Sequence, residues 1–231
     1  MTEQEWLQSD DLESMLGCLG KVECSRLRLK RIRRRLFRLF ACACCAGLSN
    51  LIPSRWAPAG VNVAERIADG DSCAEERKAI MRDLAMVSWK GISEQERDAR
   101  AAIGFLLEHE RHFDHTIAYS SAEGAAQFIS HARSSTFSAE SKHQVRFIHD
   151  IFGNPFRPLP KIDPPWLAWN GRTIPTIAQA IYDDRAFDRM PVLADALEEG
   201  SCDDDEILNH CRQPGVHVKG CWVLDLLLGK A

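Results

Sequence analysis

The chain has 231 residues, of which 45% are hydrophobic and 27% are charged, a balance that excludes the disordered and collagen-like classes. Its formal charge of −4 hides an uneven distribution, because residues 26–38 hold eight of the 29 Lys and Arg and no acid. The other residues carry a net charge of −12. A basic stretch in an acidic chain can be neutralised within the molecule, so it does not by itself require an outside partner.

The start of the chain and its cysteines both bear on location. Residues 1–11 are acidic and lack the basic and apolar regions of a signal peptide, which predicts a cytoplasmic protein. The longest nearly uncharged apolar run, Leu39–Leu48, is about half of the roughly 20 residues that cross a bilayer, so no membrane helix is predicted. Nine cysteines, an odd number without an export signal, indicate reduced thiols rather than disulfides.

The predicted elements of the first half of the chain are all helices. Several begin with Ser or Thr followed three residues later by Glu, a pattern that satisfies the free amides of a first turn. It occurs at Thr2/Glu5, Ser72/Glu75, Ser93/Glu96 and Ser120/Glu123. A loop is predicted at residues 52–60, where prolines and glycines accumulate. The helix that Ser93 begins is predicted to extend to Ile117, with further helices over 122–133 and 139–152.

Residues 25–48 are predicted to form a long amphipathic helix at the centre of the fold. Apolar side chains recur there at three- and four-residue steps, which places them on one face. The opposite face is basic, and its cations include Arg31, Arg34, Arg35 and Arg38. The apolar face predicts burial in a core, and the basic face requires either acid from the rest of the chain or an acidic partner.

A segment rich in proline and aromatic residues, near 153–170, interrupts the helices. Its prolines remove amide donors and disfavour regular structure. Its aromatic side chains, among them Phe156, Trp166 and Trp169, indicate an ordered arm laid on the core rather than a flexible linker.

Helices resume over residues 171–231. Their predicted N-caps are Thr173 or Thr176, Asp188, and Asp203 or Asp204. The last helix, residues 221–228, is apolar nearly all round and is predicted to pack on the basic helix. The predicted fold is therefore an all-α, multi-helix globular bundle, in which residues 1–152, the irregular arm and residues 171–231 form one domain overall.

Parts of both ends of the chain resemble a family of uncharacterised proteins that planctomycete bacteria encode in many copies. The resemblance rests on residues 1–7, RLFACACC at 38–45, DIFGNPFRP at 150–158, residues 180–197, and HCR at 210–212 with GCWVLDLLLGK at 220–230. It implies a bacterial, cytoplasmic protein and brings no activity with it. The chain has Cys45-Ala46-Gly47 where the family's pattern has basic residues.

Two histidines and two cysteines lie close together near the end of the chain: His210, Cys211, His217 and Cys221. Together they are the ligand set of a tetrahedral zinc site. Adjacent residues on a helix point about 100° apart, so His210 and Cys211 cannot easily reach the same ion. The prediction is therefore no bound metal, with buried cysteines and capping histidines, and zinc held by some of the four is the alternative.

Three other clusters favour structural roles. Cys42, Cys44 and Cys45 follow one another on the basic helix, which fans their thiols apart. The histidines at 109, 112 and 115 drift around a helix by about 60° per step, so a solvated polar face is expected. The acidic run 203–206 lacks the spacing of a calcium loop and is explained as an N-cap.

The sequence identifies no activity, since it has no phosphate loop, no nucleophile elbow and no zinc-protease motif. The leading hypothesis is a structural or protein-interaction role, with another protein as the partner. One alternative is nucleic-acid binding through residues 26–38, with Arg31, Arg34, Arg35 and Arg38 on phosphates. The other is an unrecognised enzyme or metal-binding protein that uses the Cys and His residues of 210–221.

Overall fold

Twelve α-helices provide the regular structure that the computed structural model describes, over residues 1–21, 30–50, 56–86, 93–108, 114–132 and 136–230. These ranges contain no β-strand, which confirms the predicted all-α class. None of the described helices combines the length and the apolar character that crossing a membrane requires. The helices are α1 (Glu3–Gln8), α2 (Leu12–Lys21), α3 (Lys30–Ala46), α4 (Trp56–Ala68), α5 (Ala74–Met86), α6 (Glu94–Leu106), α7 (His115–Ala132), α8 (Phe137–Phe152), α9 (Pro164–Asp184), α10 (Met190–Glu199), α11 (Asp205–Arg212) and α12 (Trp222–Leu227).

The basic helix α3 lies at the centre of the first part of the fold, where it contacts α4, α6, α7 and α8. Its apolar stripe is buried as predicted, with Leu36, Phe37 and Phe40 fully covered. The helix was predicted over residues 25–48, of which 25–29 lie outside the described residues. At its other end the α-helix stops at Ala46, and a 3-10 turn follows.

Two of the predicted helix starts are confirmed by their hydrogen bonds. Thr2 and Glu5 form a reciprocal capping box at α1. The Ser93 hydroxyl accepts a hydrogen bond from the Glu96 amide at 3.1 Å and so caps α6. Helix α6 ends at Leu106, however, so Ile117 belongs to α7 rather than to the helix that Ser93 begins.

The start predicted at Ser120 is wrong, because Ser120 lies inside α7. That helix begins at His115, and the Asp114 carboxylate caps it by accepting from the amides of Thr116 and Ile117. The Ser120 hydroxyl instead donates to the Thr116 carbonyl, 3.2 Å away.

The loop predicted over 52–60 is also wrong for its described part, since α4 already begins at Trp56. Pro58 falls in the first turn, where a missing amide hydrogen costs nothing because that amide would have no helical partner. Gly60 lies against α6 so closely that an added Cβ would be 2.8 Å from Ile103 Cγ2. The residues that suggested a loop therefore serve the helix start and the helix packing.

The proline-rich arm is irregular only over residues 153–163, and α9 begins at Pro164. It is fixed to α1, because the Trp6 indole donates to the Gly153 carbonyl at 3.1 Å and the Asn154 amide donates to Glu3 at 2.7 Å. Helix α9 is broken at residues 169–172, which have non-helical dihedral angles. The predicted arm is thus ordered, but it is shorter than its sequence suggests.

The described apolar core has two clusters, one formed by α1–α8 and one by α9–α12. In the second cluster Asp204 caps α11 as predicted, whereas α10 has no side-chain cap, so the prediction for Asp188 is wrong. Thr173 is no cap either, since its hydroxyl donates to the Asn170 carbonyl at 2.6 Å.

The segment after α11 joins the two clusters. Val216 and Val218 pack on the first cluster, although they follow a helix of the second. Gly220 has a φ of +93°, and an added Cβ there would lie 2.9 Å from Leu39 Cδ1 on α3. A glycine is therefore required where the chain crosses the basic helix and turns into α12.

Arg35 forms a charged junction between the two clusters. Its guanidinium contacts Asp225 of α12 at 3.0 Å, Asp69 after α4 at 3.1 Å and the Tyr182 hydroxyl of α9 at 2.9 Å. Asp225 is fully buried, so the guanidinium neutralises a carboxylate that water does not reach. This junction, called the Arg35 junction below, links four segments through one side chain.

Candidate metal centre

Three segments that are distant in sequence bring polar side chains to one buried point. Asp150 lies on the buried face near the end of α8. His210 lies in the last turn of α11, and the chain then reverses through Pro214 and Gly215. The returning segment carries His217 past α8 and places Cys221 at the start of α12.

The four ligand atoms of Asp150, His210, His217 and Cys221 all lie within 4.8 Å of one another. Asp150 Oδ1 is 2.7 Å from His217 Nδ1 and 3.1 Å from His210 Nε2. The Cys221 Sγ is 3.2 Å from His210 Nε2 and 3.9 Å from His217 Nδ1. Ligand atoms around a tetrahedral zinc are separated by about 3.3 to 3.6 Å, which follows from bond lengths of about 2.0 to 2.3 Å. The observed distances bracket that spacing.

The centre is buried, and its charge depends on the protons it holds. Asp150 is 4% exposed and Cys221 is 0% exposed. Burial alone would raise the pKa of Asp150, but the hydrogen bonds from His210 and His217 outweigh it and the pKa lies below its ordinary value. Burial raises the pKa of the Cys221 thiol well above its ordinary value, and the charge of Asp150 adds to this. A divalent ion would reverse the second effect, because a coordinating thiol loses its proton.

Most of the other hydrogen-bond donors and acceptors at the centre have partners. The Val218 amide donates to Asp150 Oδ2 at 2.8 Å. The Trp222 indole N–H, which can only donate, faces His210 Nδ1 at 3.1 Å. The proton of a neutral His210 is therefore on Nε2, where it faces Asp150. His217 Nε2 is buried and has no hydrogen-bond partner among the described residues.

The arrangement is not that of a catalytic Cys-His-Asp triad. A triad histidine uses one ring nitrogen for the nucleophile and the other for the carboxylate. Here His210 presents Nε2 to both Asp150 and Cys221, and His217 presents Nδ1 to both. Cys221 is also fully covered, so no substrate could reach its sulfur. Four ligand atoms within 4.8 Å of one another could hold a metal ion.

The structure brings together three of the four predicted candidates and leaves out Cys211. Cys211 is buried with the second apolar cluster, and burial raises its pKa to about 12. It is separated from His210 as the helix geometry predicts. Asp150, the fourth member, was missed because it is far from the others in sequence. Its one local signal is a carboxylate among the buried and mostly apolar residues of α8, of which Gln144 is also polar.

The other predicted clusters do not converge among the described residues. The thiols of Cys42, Cys44 and Cys45 are buried, with Cys42 near the Val61 carbonyl and Cys45 near the Ser121 carbonyl. Burial raises the pKa of all three, in Cys45 to about 12.

The remaining histidines and the acidic run have structural places where the structure describes them. His115 begins α7 and packs beside Phe37 with ring centroids 6.1 Å apart. The histidines at 109 and 112 lie outside the described residues. In the acidic run, Asp204 is the cap of α11, with its carboxylate accepting from the amides of Glu206 and Ile207.

The four predicted arginines divide into two pairs. Arg38 is 2% exposed and donates to the carbonyls of Leu106 and Glu108, each at 2.9 Å. Arg35 forms the Arg35 junction. Arg31 and Arg34 have no hydrogen bond or ion pair with any residue that the structure describes, and both line a cavity beside α3.

Comparison of the chain with models of known protein families, with curated proteins and with solved structures found no match.

Proposed function

We propose that this chain is a metal-binding protein in which Asp150, His210, His217 and Cys221 hold one divalent ion. The observation that carries the proposal is the convergence of a carboxylate, two imidazoles and a thiol within 4.8 Å, from three separate segments. The contacts between these atoms are also close to the edges of a coordination tetrahedron.

Zn²⁺ is the ion that this set of ligands favours. One sulfur and two imidazole nitrogens suit zinc, whereas Mg²⁺ and Ca²⁺ prefer oxygen ligands. A carboxylate and a thiolate would balance the charge of a divalent ion, which suits a buried site. With four protein ligands the coordination would be complete, as in structural rather than catalytic zinc sites.

The proposed role of the ion is to connect the two apolar clusters. Asp150 belongs to a helix of the first cluster, and the other three ligands belong to α11, α12 and the segment between them. The ion would fix this segment on α8, beside the Arg35 junction. This refines the hypothesis of a structural role. Nucleic-acid binding is not proposed, because Arg35 and Arg38 are engaged inside the molecule.

We also propose a cytoplasmic location. The eight cysteines that the structure describes are all free thiols, which is typical of a reducing compartment.

Elemental analysis of protein purified without added metal tests the proposal. About one zinc per chain is expected, as for other structural sites. Cys221→Ser should lose the zinc, whereas Cys211→Ser should keep it. Cys211 is the matched control because it is buried like Cys221 and lies next to the proposed ligand His210 on α11, but is not itself a ligand.

A second readout covers the case in which Cys221→Ser does not fold. Unfolded wild-type protein refolded with Co²⁺ should show the charge-transfer absorption of a thiolate bound to cobalt, and so should Cys211→Ser. Folded wild-type protein that takes up neither zinc nor cobalt would contradict the proposal.

A further inference from the structure

A cavity of about 210 Å³ lies between α3 and the turn that follows α4. Four arginines of α3 line it: Arg31, Arg34, Arg35 and Arg38. Among its lining residues the one acid is Asp71, which the structure pairs with Arg66 at 3.3 Å. The wall that α3 presents to this cavity is therefore strongly cationic.

The guanidinium donors that are available to a ligand come from two of these arginines. Arg35 is neutralised in the Arg35 junction by Asp69 and Asp225. Arg38 directs guanidinium N–H groups to two backbone carbonyls. Arg31 and Arg34 make no ion pair within the described part of the chain, and their spacing of three residues places them side by side on the helix.

Arg31 is exposed, and the turn after α4 lies close to its guanidinium. Gly70 has a φ of +99°, and an added Cβ would lie 3.4 Å from Arg31 Nη2. A longer side chain at this position would fill the approach to the guanidinium. Gly70 therefore serves both the tight turn after α4 and the access to Arg31.

A second cavity, of about 530 Å³, shares Arg31 and Arg35 with the first. It adds Lys30 to the cationic lining, together with Lys230, whose ammonium pairs with Asp69 at 3.4 Å. The two cavities together provide a small anion-sized space beside a larger one that is also cationic.

We propose that Arg31 and Arg34 bind the phosphate group of a small phosphorylated molecule, with the rest of the molecule in the second cavity. The planar guanidinium fork matches the oxygens of a phosphate, and each such contact is a charge-assisted hydrogen bond. The ligand is small because only two of the four arginines are available and because the first cavity has the volume of one phosphate and its water. A nucleic acid would need a longer exposed track, and the net charge of −4 would repel it.

Calorimetric titration tests this inference, with inorganic phosphate and pyrophosphate as probes at constant ionic strength. The wild type should bind both, and pyrophosphate more tightly because it also reaches the second cavity. Arg31→Gln combined with Arg34→Gln should weaken both by about tenfold or more, as the loss of charged hydrogen bonds implies. The matched control is Arg82→Gln with Arg189→Gln, which changes the net charge equally at two exposed arginines outside both cavities.

Thermal melts of both double variants separate binding from folding. Melting temperatures close to the wild type are expected for both, because none of the four side chains has an ion pair in the described structure. The inference is overturned if the wild type does not bind either probe, or if both double variants lose affinity equally. Binding of duplex DNA with a steep salt dependence, without binding of the phosphate probes, would also overturn it.

Discussion

Two of the polar junctions between the apolar clusters differ in how their charge is balanced. The Arg35 junction contains its own cations, since a guanidinium lies between Asp69 and Asp225 and the Lys230 ammonium pairs with Asp69 at 3.4 Å. At the other junction Asp150 contacts two imidazoles and a backbone amide, with a thiol beside them, and no Lys or Arg among the described residues pairs with it. The Arg35 junction is balanced by charges of the chain itself, whereas the proposed metal site would be balanced by an added dication.

This difference in charge balance decides whether a junction would be stabilised by an ion that is not part of the chain. A buried carboxylate is tolerated only when a charge or several hydrogen bonds compensate it. Among the described residues, Asp225 obtains this from Arg35. Asp150 obtains hydrogen bonds from two imidazoles and a backbone amide, with the Cys221 thiol beside them. Both junctions anchor the same segment, residues 217–230, so variants of each can be compared by one stability measurement.

The largest effect is expected from removing Arg35, the cation that contacts Asp225. Arg35→Met would leave the fully buried Asp225 without its charged partner, which should lower the free energy of unfolding by about 3 to 5 kcal/mol. Arg31→Met on the preceding turn is the control, and because Arg31 has no described partner it should change stability by no more than about 0.5 kcal/mol. Urea denaturation measures both. Equal losses of unfolding free energy in the two variants would contradict the claim that Arg35 compensates the buried charge of Asp225.

The next largest effect is expected from removing the proposed zinc ion. Chelation should lower the free energy of unfolding by about 3 kcal/mol, the stabilisation expected from an ion present at about 100 times its dissociation constant. Cys221→Ser should no longer respond to the chelator, whereas Cys211→Ser should respond as the wild type does. A thermal melt with and without chelator shows this. An identical response of all three proteins would place the metal elsewhere.

A smaller effect concerns pH at the Arg35 junction. Burial alone would raise the pKa of Asp69, but the hydrogen bond from Tyr182 and the charges of Arg35 and Lys230 outweigh it, and the pKa lies below its ordinary value. The ionised carboxylate therefore stabilises the fold above the unfolded-state pKa of about 3.9, and this stability is lost as the pH falls through the lower folded-state pKa.

Asp69→Asn isolates this contribution. The variant should be less stable than the wild type near neutral pH, and the difference should shrink below about pH 4, where Asp69 protonates. Denaturation in the presence of chelator removes the competing effect of protons on the metal ligands. A stability difference between the two proteins that stays constant as the pH falls below about 4 would contradict the lowered pKa of Asp69.

The smallest effect concerns Trp222. Zinc on His210 Nε2 would shift the imidazole proton to Nδ1, where it meets the indole N–H that now donates there. Trp222→Phe removes the indole N–H that would face the imidazole N–H. The free energy of zinc binding should become more favourable by up to about 1.4 kcal/mol, which is as much as about tenfold tighter binding. Competition with a chelator of known affinity measures it. Zinc should also change the tryptophan fluorescence of the wild type more than that of the variant, and weaker binding by the variant would contradict this reasoning.

Sequence patterns predicted the helical class, the buried stripe of α3 and the caps at Thr2, Ser93 and Asp204, because each depends on residues within a few positions. The same local pattern failed at Ser120. There Asp114 caps the helix earlier, and the apolar stripe continues through Ala118 and beyond.

The two junctions depend on contacts between distant segments, which a single sequence does not encode locally. Asp150 and His217 are 67 positions apart, and Arg35 and Asp225 are 190 positions apart. Helix geometry correctly separated Cys211 from His210, but it gave no reason to join Asp150 to the set. In the same way, the basic face of α3 did not reveal which arginines meet acids inside the molecule.

X-ray absorption at the zinc edge, on protein purified without added metal, tests the central claim most directly. The proposed centre predicts one sulfur at about 2.3 Å and three nitrogen or oxygen ligands at about 2.0 to 2.1 Å. The sulfur contribution should persist in Cys211→Ser and disappear in Cys221→Ser. A spectrum without sulfur, or one with two or more sulfur ligands, would contradict the assignment of Asp150, His210, His217 and Cys221 as the ligands.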